Sequence, residues 1–110
     1  MTTFITIGYG TREGYDRTDL SVRDAAHAHD ARLRAAGVLM GIAGAPVQVR
    51  NHDARNMDTQ AGPFMSSPLP IAGFAVIEAP TLAKAVEMVA QSPCAIAHGV
   101  VEVWPLNQAE

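Results

Sequence analysis

Two segments of this chain are apolar on both of their faces. Side chains alternate across a strand with a period of two. In "IAGFAVIEA" (71–79), Phe74 and Val76 fall on one side, Ala75 and Ile77 on the other. In "HGVVEVWPL" (98–106), Val101 and Val103 oppose Val100 and Trp104. A sheet built from such strands has to be covered twice. The rest of the chain supplies two long helical patterns, which is one layer. The second face would be a sizeable bare apolar patch. A second copy of the chain is the simplest cover and predicts a homodimer with its sheets face to face. The other solution is that the C-terminal tail or the segment 51–70 folds over that face.

The remaining elements fit around these strands. "TFITIGYG" (3–10) is β-branched and aromatic and reads as a strand. "TREGYDRTD" (11–19) is polar and turn-like. Ser21, with Asp24 three residues on, predicts the cap of a helix over 22–36, closed by Gly37. "VLMGIAG" (38–44) is a second strand, and "VQVR" (47–50) alternates as a half-buried strand does. The polar segment 51–70 holds three prolines and a short strand near 55–60. "TLAKAVEMVAQS" (81–92) is a helix with Leu82, Val86 and Val89 on one stripe, stopped by Pro93. The order β-α-β then β-α-β predicts an α+β, ferredoxin-like sandwich, with two helices on one face of an antiparallel sheet. The 110 residues predict a single domain, 1–110.

Composition excludes several function classes. A net charge of −3, with the eight Lys and Arg dispersed, gives no nucleic-acid surface. No apolar run approaches the length of a membrane span, and "MTTFITIGYG" lacks the pattern of a secretory signal. With Cys94 as its one cysteine the chain has no disulfide framework, so the expected compartment is the cytoplasm. Neither G-x-G-x-x-G nor a P-loop is present, so no cofactor is expected.

The string "HAHD" (27–30) concentrates the chemistry. Val22, Ala26, His29, Leu33 and Ala36 form an otherwise apolar helical stripe, so His29 is expected to face the sheet. Arg23, His27, Asp30 and Arg34 form a charged stripe expected to face outward or sideways. The string is similar to the H-x-H-x-D-H motif of metallo-hydrolases. Its aspartate comes one position early, however, and the last histidine is absent. His27 and His29 also lie about 200° apart around a helix and would not grip one ion, so no metal is assigned. An inward histidine must hydrogen-bond something. His29 is either a satisfied structural residue or a pocket general base.

The second half of the chain resembles the YCII-related superfamily, in its DGPF-domain branch. The resemblance rests on Gly62-Pro63-Phe64, Gly73-Phe74 with Ile77-Glu78-Ala79, Leu82 with Ala85 and Pro93, and Gly99-Val100-Val101-Glu102-Val103-Trp104-Pro105. "LRAAGVLMGIAG" (33–44) is similar to the family's helix end and second strand. The resemblance implies a ferredoxin-like fold that pairs into a dimeric α/β barrel in a bacterial cytoplasmic protein. It also implies a possible enzyme with a His–Asp pair between the first helix and the sheet. One relative is a dehydrochlorinase, and muconolactone isomerases share the barrel. His29 maps onto the family's helix-one histidine. Two departures stand out. The DGPF aspartate is Ala61, and the aspartate of the family's D-P-Y is Ser92. Asp58, Asp53 and Glu78 are the candidates to replace it.

Other residues join this candidate site. Tyr9 and Tyr15 flank the loop after the first strand. Arg12 and Arg50 could hold a carboxylate. His52, Phe64 and His98 border the long segment or a strand end. Glu78, beside Phe74 and Val76, is expected to be buried and catalytic, or else a solvated strand-end carboxylate like Glu102. Met57, Met65 and Met88 are expected to fill gaps in the core or interface. Two readings follow. One is a cofactor-free lyase, isomerase or dehydrochlorinase acting on a small cyclic or enolic substrate, with His29 as base and Asp58 or Glu78 as its acid partner. The other is a non-catalytic small-molecule-binding or accessory dimeric module.

Overall fold

The structure, a computed structural model, describes residues 1–107. Its main sheet has the order β2-β5-β1-β6, with every neighbouring pair antiparallel. The strands are β1 (Thr2–Tyr9), β2 (Leu39–Ile42), β5 (Ile71–Ala79) and β6 (Val100–Pro105). β5 separates β1 from β2 and β1 separates β5 from β6, an arrangement consistent with the ferredoxin-like sandwich. β3 (Val47–Arg50) and β4 (Asp58–Ala61) form a separate two-stranded sheet between β2 and β5 in sequence.

The helices are α1 (Arg12–Asp16), α2 (Leu20–Ala35), α3 (Leu82–Ala90) and α4 (Pro93–Ile96). One face of the sheet carries the core: Phe4, Ile77 and Ala79 pack against Ala85 and Val89 of α3, with Val101 and Val103 beside them. The opposite face carries Ile5, Ile7, Leu39, Phe74, Val76 and Trp104, side by side in the strand register. Trp104 stays 53% exposed and Phe74 47% exposed. The segment 51–70 leaves this face open, and residues 108–110 of the tail lie outside the described residues.

Several local expectations change. The polar stretch 11–19 holds α1, because the Thr11 hydroxyl accepts from the Gly14 N–H and caps it. α2 starts two residues early, with Asp19 at its cap and no side-chain bond from Ser21. α2 has α4 as its close neighbour and leans on that helix more than on the sheet. Val22 is therefore exposed while Ala26 is buried. In α3 the buried residues are Ala85 and Val89, whereas Leu82 and Val86 are about half exposed. The small Ala85 lets the helix sit close to the sheet, which turns the bulkier stripe partly outward. Pro93 both ends α3 and starts α4, as a proline at a first helical position does. Met57 and Met65 are exposed and fill no core, because the segment carrying them does not fold over the sheet; Met88 does pack against the core.

Candidate functional site

The strand register builds a polar pair at one end of the open apolar face, with Tyr9 buried and Glu102 half-buried. Ile7 lies opposite Glu102, and Tyr9 opposite Val100. Tyr9 and Glu102 are thus diagonal neighbours, within reach across two strands. The Tyr9 hydroxyl donates to Glu102 Oε1 at 2.5 Å. This bond pushes the Tyr9 phenol above its ordinary range, and burial and the charge of Glu102 act in the same direction. Val100 and Trp104 flank Glu102 along its strand. Further along the same face a shallow hollow of about 300 Å³ is lined by Ile5, Leu39, Gly41, Phe74 and Val76.

His29 lies elsewhere. It is half-buried on α2, and its Nε2–H donates to the Met88 carbonyl of α3 at 2.6 Å. That carbonyl is in the last turn of α3, where intrahelical donors run out. The bond thus closes a helix end and requires Nε2 to carry a proton. Among the described residues no hydrogen bond joins His29 to a carboxylate. Its neighbour Asp30 is half-buried, not fully solvated as the charged stripe implied. Burial raises the Asp30 carboxyl, against the lowering effect of Arg34, His29 and His27. The Cys94 thiol on α4 is pushed up first by burial and then by the charge of Asp30.

The other candidate residues scatter. Asp58 is exposed on β4, opposite Arg50. Glu78 lies on the open face as its parity requires, but it is exposed, not buried. Neither meets His29, so the acid–base set of His29 with Asp58 or Glu78 is not assembled within the chain. Arg12 is bound at 3.2 Å to Asp16 in an exposed pair one helical turn away. Arg50 lies 5.8 Å over the ring of Phe64 and bonds Gln48, so these two binding candidates do meet. His52 sits in an exposed 3-10 turn (His52–Ala54). His98 is exposed with φ of 64° in the turn before β6 and does not open that strand. His27 lies 2.8 Å from the Tyr15 hydroxyl, and the Arg23 guanidinium stacks 4.7 Å over the Tyr15 ring. The expected solvated cluster of His27 with Arg23 and Asp30 is therefore replaced by a contact to α1.

Among the described residues no group of three His, Cys, Asp or Glu side chains is placed to share a metal ion. No described helix is long and apolar enough to cross a membrane. From the sequence, Glu102 reads as a solvated or arginine-paired strand-end carboxylate, or else as a catalytic one, with no partner indicated. The signal available was its position: the lone charge in "VVEVW", on the open side beside Trp104.

The family model of the YCII-related domain matches residues 2–109. No curated protein matches the chain.

Proposed function

The chain belongs to the YCII-related domain family, and we propose that it works as a homodimer, paired through its open sheet faces, that binds a small organic molecule. Within the family its place is the DGPF branch, on Gly62-Pro63-Phe64, and its compartment is the cytoplasm. The observation that carries the reading is the open face itself. Apolar side chains adjoin a polar pair, the buried Tyr9 and the half-buried Glu102, which is the composition of a small-molecule site. Pairing two such faces would turn a shallow surface into an enclosed chamber. A small cyclic or enolic molecule fits that chemistry, its ring against Trp104 and Phe74 and its hydroxyl or carbonyl at Tyr9 and Glu102.

A thermal-shift screen of small carboxylates, lactones and phenols tests this reading. A ligand at about 100 times its Kd adds roughly 2.7 kcal/mol, a clear shift. The expected hit stabilises the wild type and His29→Ala alike and loses its effect in Glu102→Gln. A hit lost in His29→Ala but kept in Glu102→Gln would move the site to the helix side.

The short Tyr9–Glu102 bond favours a second reading, a cofactor-free lyase or isomerase. Glu102 would take the proton and Tyr9 would stabilise the enolate. His29 would only support the fold in this reading, since its Nε2–H is engaged by Met88. Deuterium incorporation from D2O into a lactone hit, absent with Glu102→Gln, separates catalysis from binding.

A further inference from the structure

The charges of the main sheet are all of one sign and all on its open face. Its four strands contain no Lys, Arg or His. Their acids are Glu78, opposite Thr3, and Glu102, opposite Ile7, both on the side away from the core. The ion pairs among the described residues, Arg12 with Asp16 and Lys84 with Glu87, are on helices. Neither sheet carboxylate therefore has a cation bound to it among the described residues.

The hydrogen bonds set what a guest must bring. The Tyr9 hydroxyl commits its one proton to Glu102 Oε1. An ionised carboxylate only accepts, and a phenol whose proton is committed has only lone pairs left to offer. Among the described residues no second hydrogen bond reaches Glu102, and its Oε2 is not sealed from solvent. A guest at this pair has to be a donor.

The surroundings select the kind of donor. Trp104 is two residues from Glu102 on the same side of β6, about 7 Å along the strand. Its ring is half exposed, and a cation within about 6 Å of an indole face is attracted by it. Phe74, Ile7 and Glu102 form one row across three strands, so an apolar surface runs away from the carboxylate. A carboxylate beside aromatic rings, on a sheet without a cation, is complementary to an organic ammonium. A carboxylate or phosphate guest would meet like charge.

We infer that the open face takes a small primary amine in its protonated form. The ammonium donates to Glu102 Oε2 beside Trp104, and the apolar body lies over Ile7 and Phe74. The inference rests on the open-face site of the proposed function and narrows its ligand. It also bears on the homodimer of that reading. Pairing two open faces would enclose Glu102 of both copies with no cation from either sheet, and an unpaired buried charge is costly. A bound ammonium supplies the missing charge.

Trp104 is the one tryptophan of the chain, so its fluorescence reads this face. Benzylamine, benzyl alcohol and benzoate at pH 7 share a ring and differ in charge. The expected result is a saturable change with benzylamine, at a Kd at least tenfold below that of benzyl alcohol, and no binding of benzoate. Glu102→Gln should raise the benzylamine Kd at least tenfold and leave that of benzyl alcohol unchanged, with far-UV circular dichroism checking that the variant folds. The comparison of the three probes on the wild type decides the charge preference without any variant. Equal Kd values for benzylamine and benzyl alcohol would overturn the ammonium and keep a small-molecule site on the open face. Tightest binding by benzoate would do the same. A benzylamine preference that survives Glu102→Gln would overturn Glu102 as its partner. No response to any of the three overturns the inference and the open-face site together.

Discussion

Tyr9 and Glu102 lie 93 positions apart in the sequence and 2.5 Å apart at their oxygens, on the apolar face that the helices leave bare. The bond favours the neutral phenol, so the folded-state pKa of Tyr9 lies above its ordinary value of 10.0. The sign of the linkage follows. The stability from this bond is fully present below the ordinary pKa and is lost as pH rises through the folded value. Ultraviolet titration should therefore show a late phenol, Tyr9, ionising above 10.0. Glu102→Gln should bring the late one down, and Tyr9→Phe should delete it. The absence of a phenol ionising above 10.0 would overturn the Tyr9–Glu102 bond.

His29 joins α2 to the last turn of α3 through the Met88 carbonyl. His29→Ala deletes one hydrogen bond and leaves that carbonyl without its donor. The expected cost is about 1 kcal/mol, since the site is only half-buried and water can replace part of the bond. Urea unfolding should show a lower midpoint with an unchanged slope. A loss well above that size would place His29 in a larger network than α2 and α3.

Much of the architecture was legible because strand alternation and helical period are local signals. The two-faced strands 71–79 and 98–106 announced a sheet with one face bare, and Phe74, Val76 and Trp104 are on it. What was not legible depended on contacts between distant segments. α1 hides in a polar stretch because it is one short turn, held by a Thr11 cap. The inward stripe of α3 is chosen by how closely Ala85 approaches the sheet, which periodicity alone does not rank. The "VQVR" alternation correctly gave a strand but implied that the valines face inward. The turn at 62–64 bonds to Gln48 on the other side instead, and the valines stay exposed. Glu102 acquires a role only once the first and last strands are known to be neighbours.

Asp30 of α2 is close enough to Cys94 of α4 for its charge to act on the thiol. Burial raises the Asp30 carboxyl above its ordinary 3.8, so the folded state disfavours its charge. Stability from this group is present at low pH and lost as pH rises through the folded value. Asp30→Asn should raise Tm at pH 7, by an amount equivalent to no more than about 0.5 kcal/mol because solvent screens a partly exposed group. The gap should close as the pH falls below 3.8. The same change removes one of the two causes that raise the Cys94 thiol, so alkylation at pH 8 should run faster than in the wild type. An unchanged alkylation rate would mean that burial alone protects the thiol.

Gly99 has the least room of the glycines. A Cβ there would come within 2.1 Å of the Tyr9 carbonyl oxygen and 2.6 Å of that of Cys94. Both are backbone atoms, and the Gly99 N–H already donates to the Cys94 carbonyl at 3.0 Å, so neither neighbour can rotate away. Relief requires β6 or α4 to shift, and a shift of β6 also moves Glu102 away from Tyr9. Gly99→Ala should cost about 3 kcal/mol, at the upper end for overpacking, and should bring the late-titrating tyrosine back toward 10.0. Gly44 provides the control, because a Cβ there meets nothing within 4 Å and its φ is unrestricted. Gly44→Ala should leave stability unchanged or raise it by up to about 1 kcal/mol, through the unfolded chain. Thermal melts of the two variants, read with the phenol titration, check both expectations. If Gly99→Ala melted like Gly44→Ala, the close approach of β1, α4 and β6 around Tyr9 would be wrong.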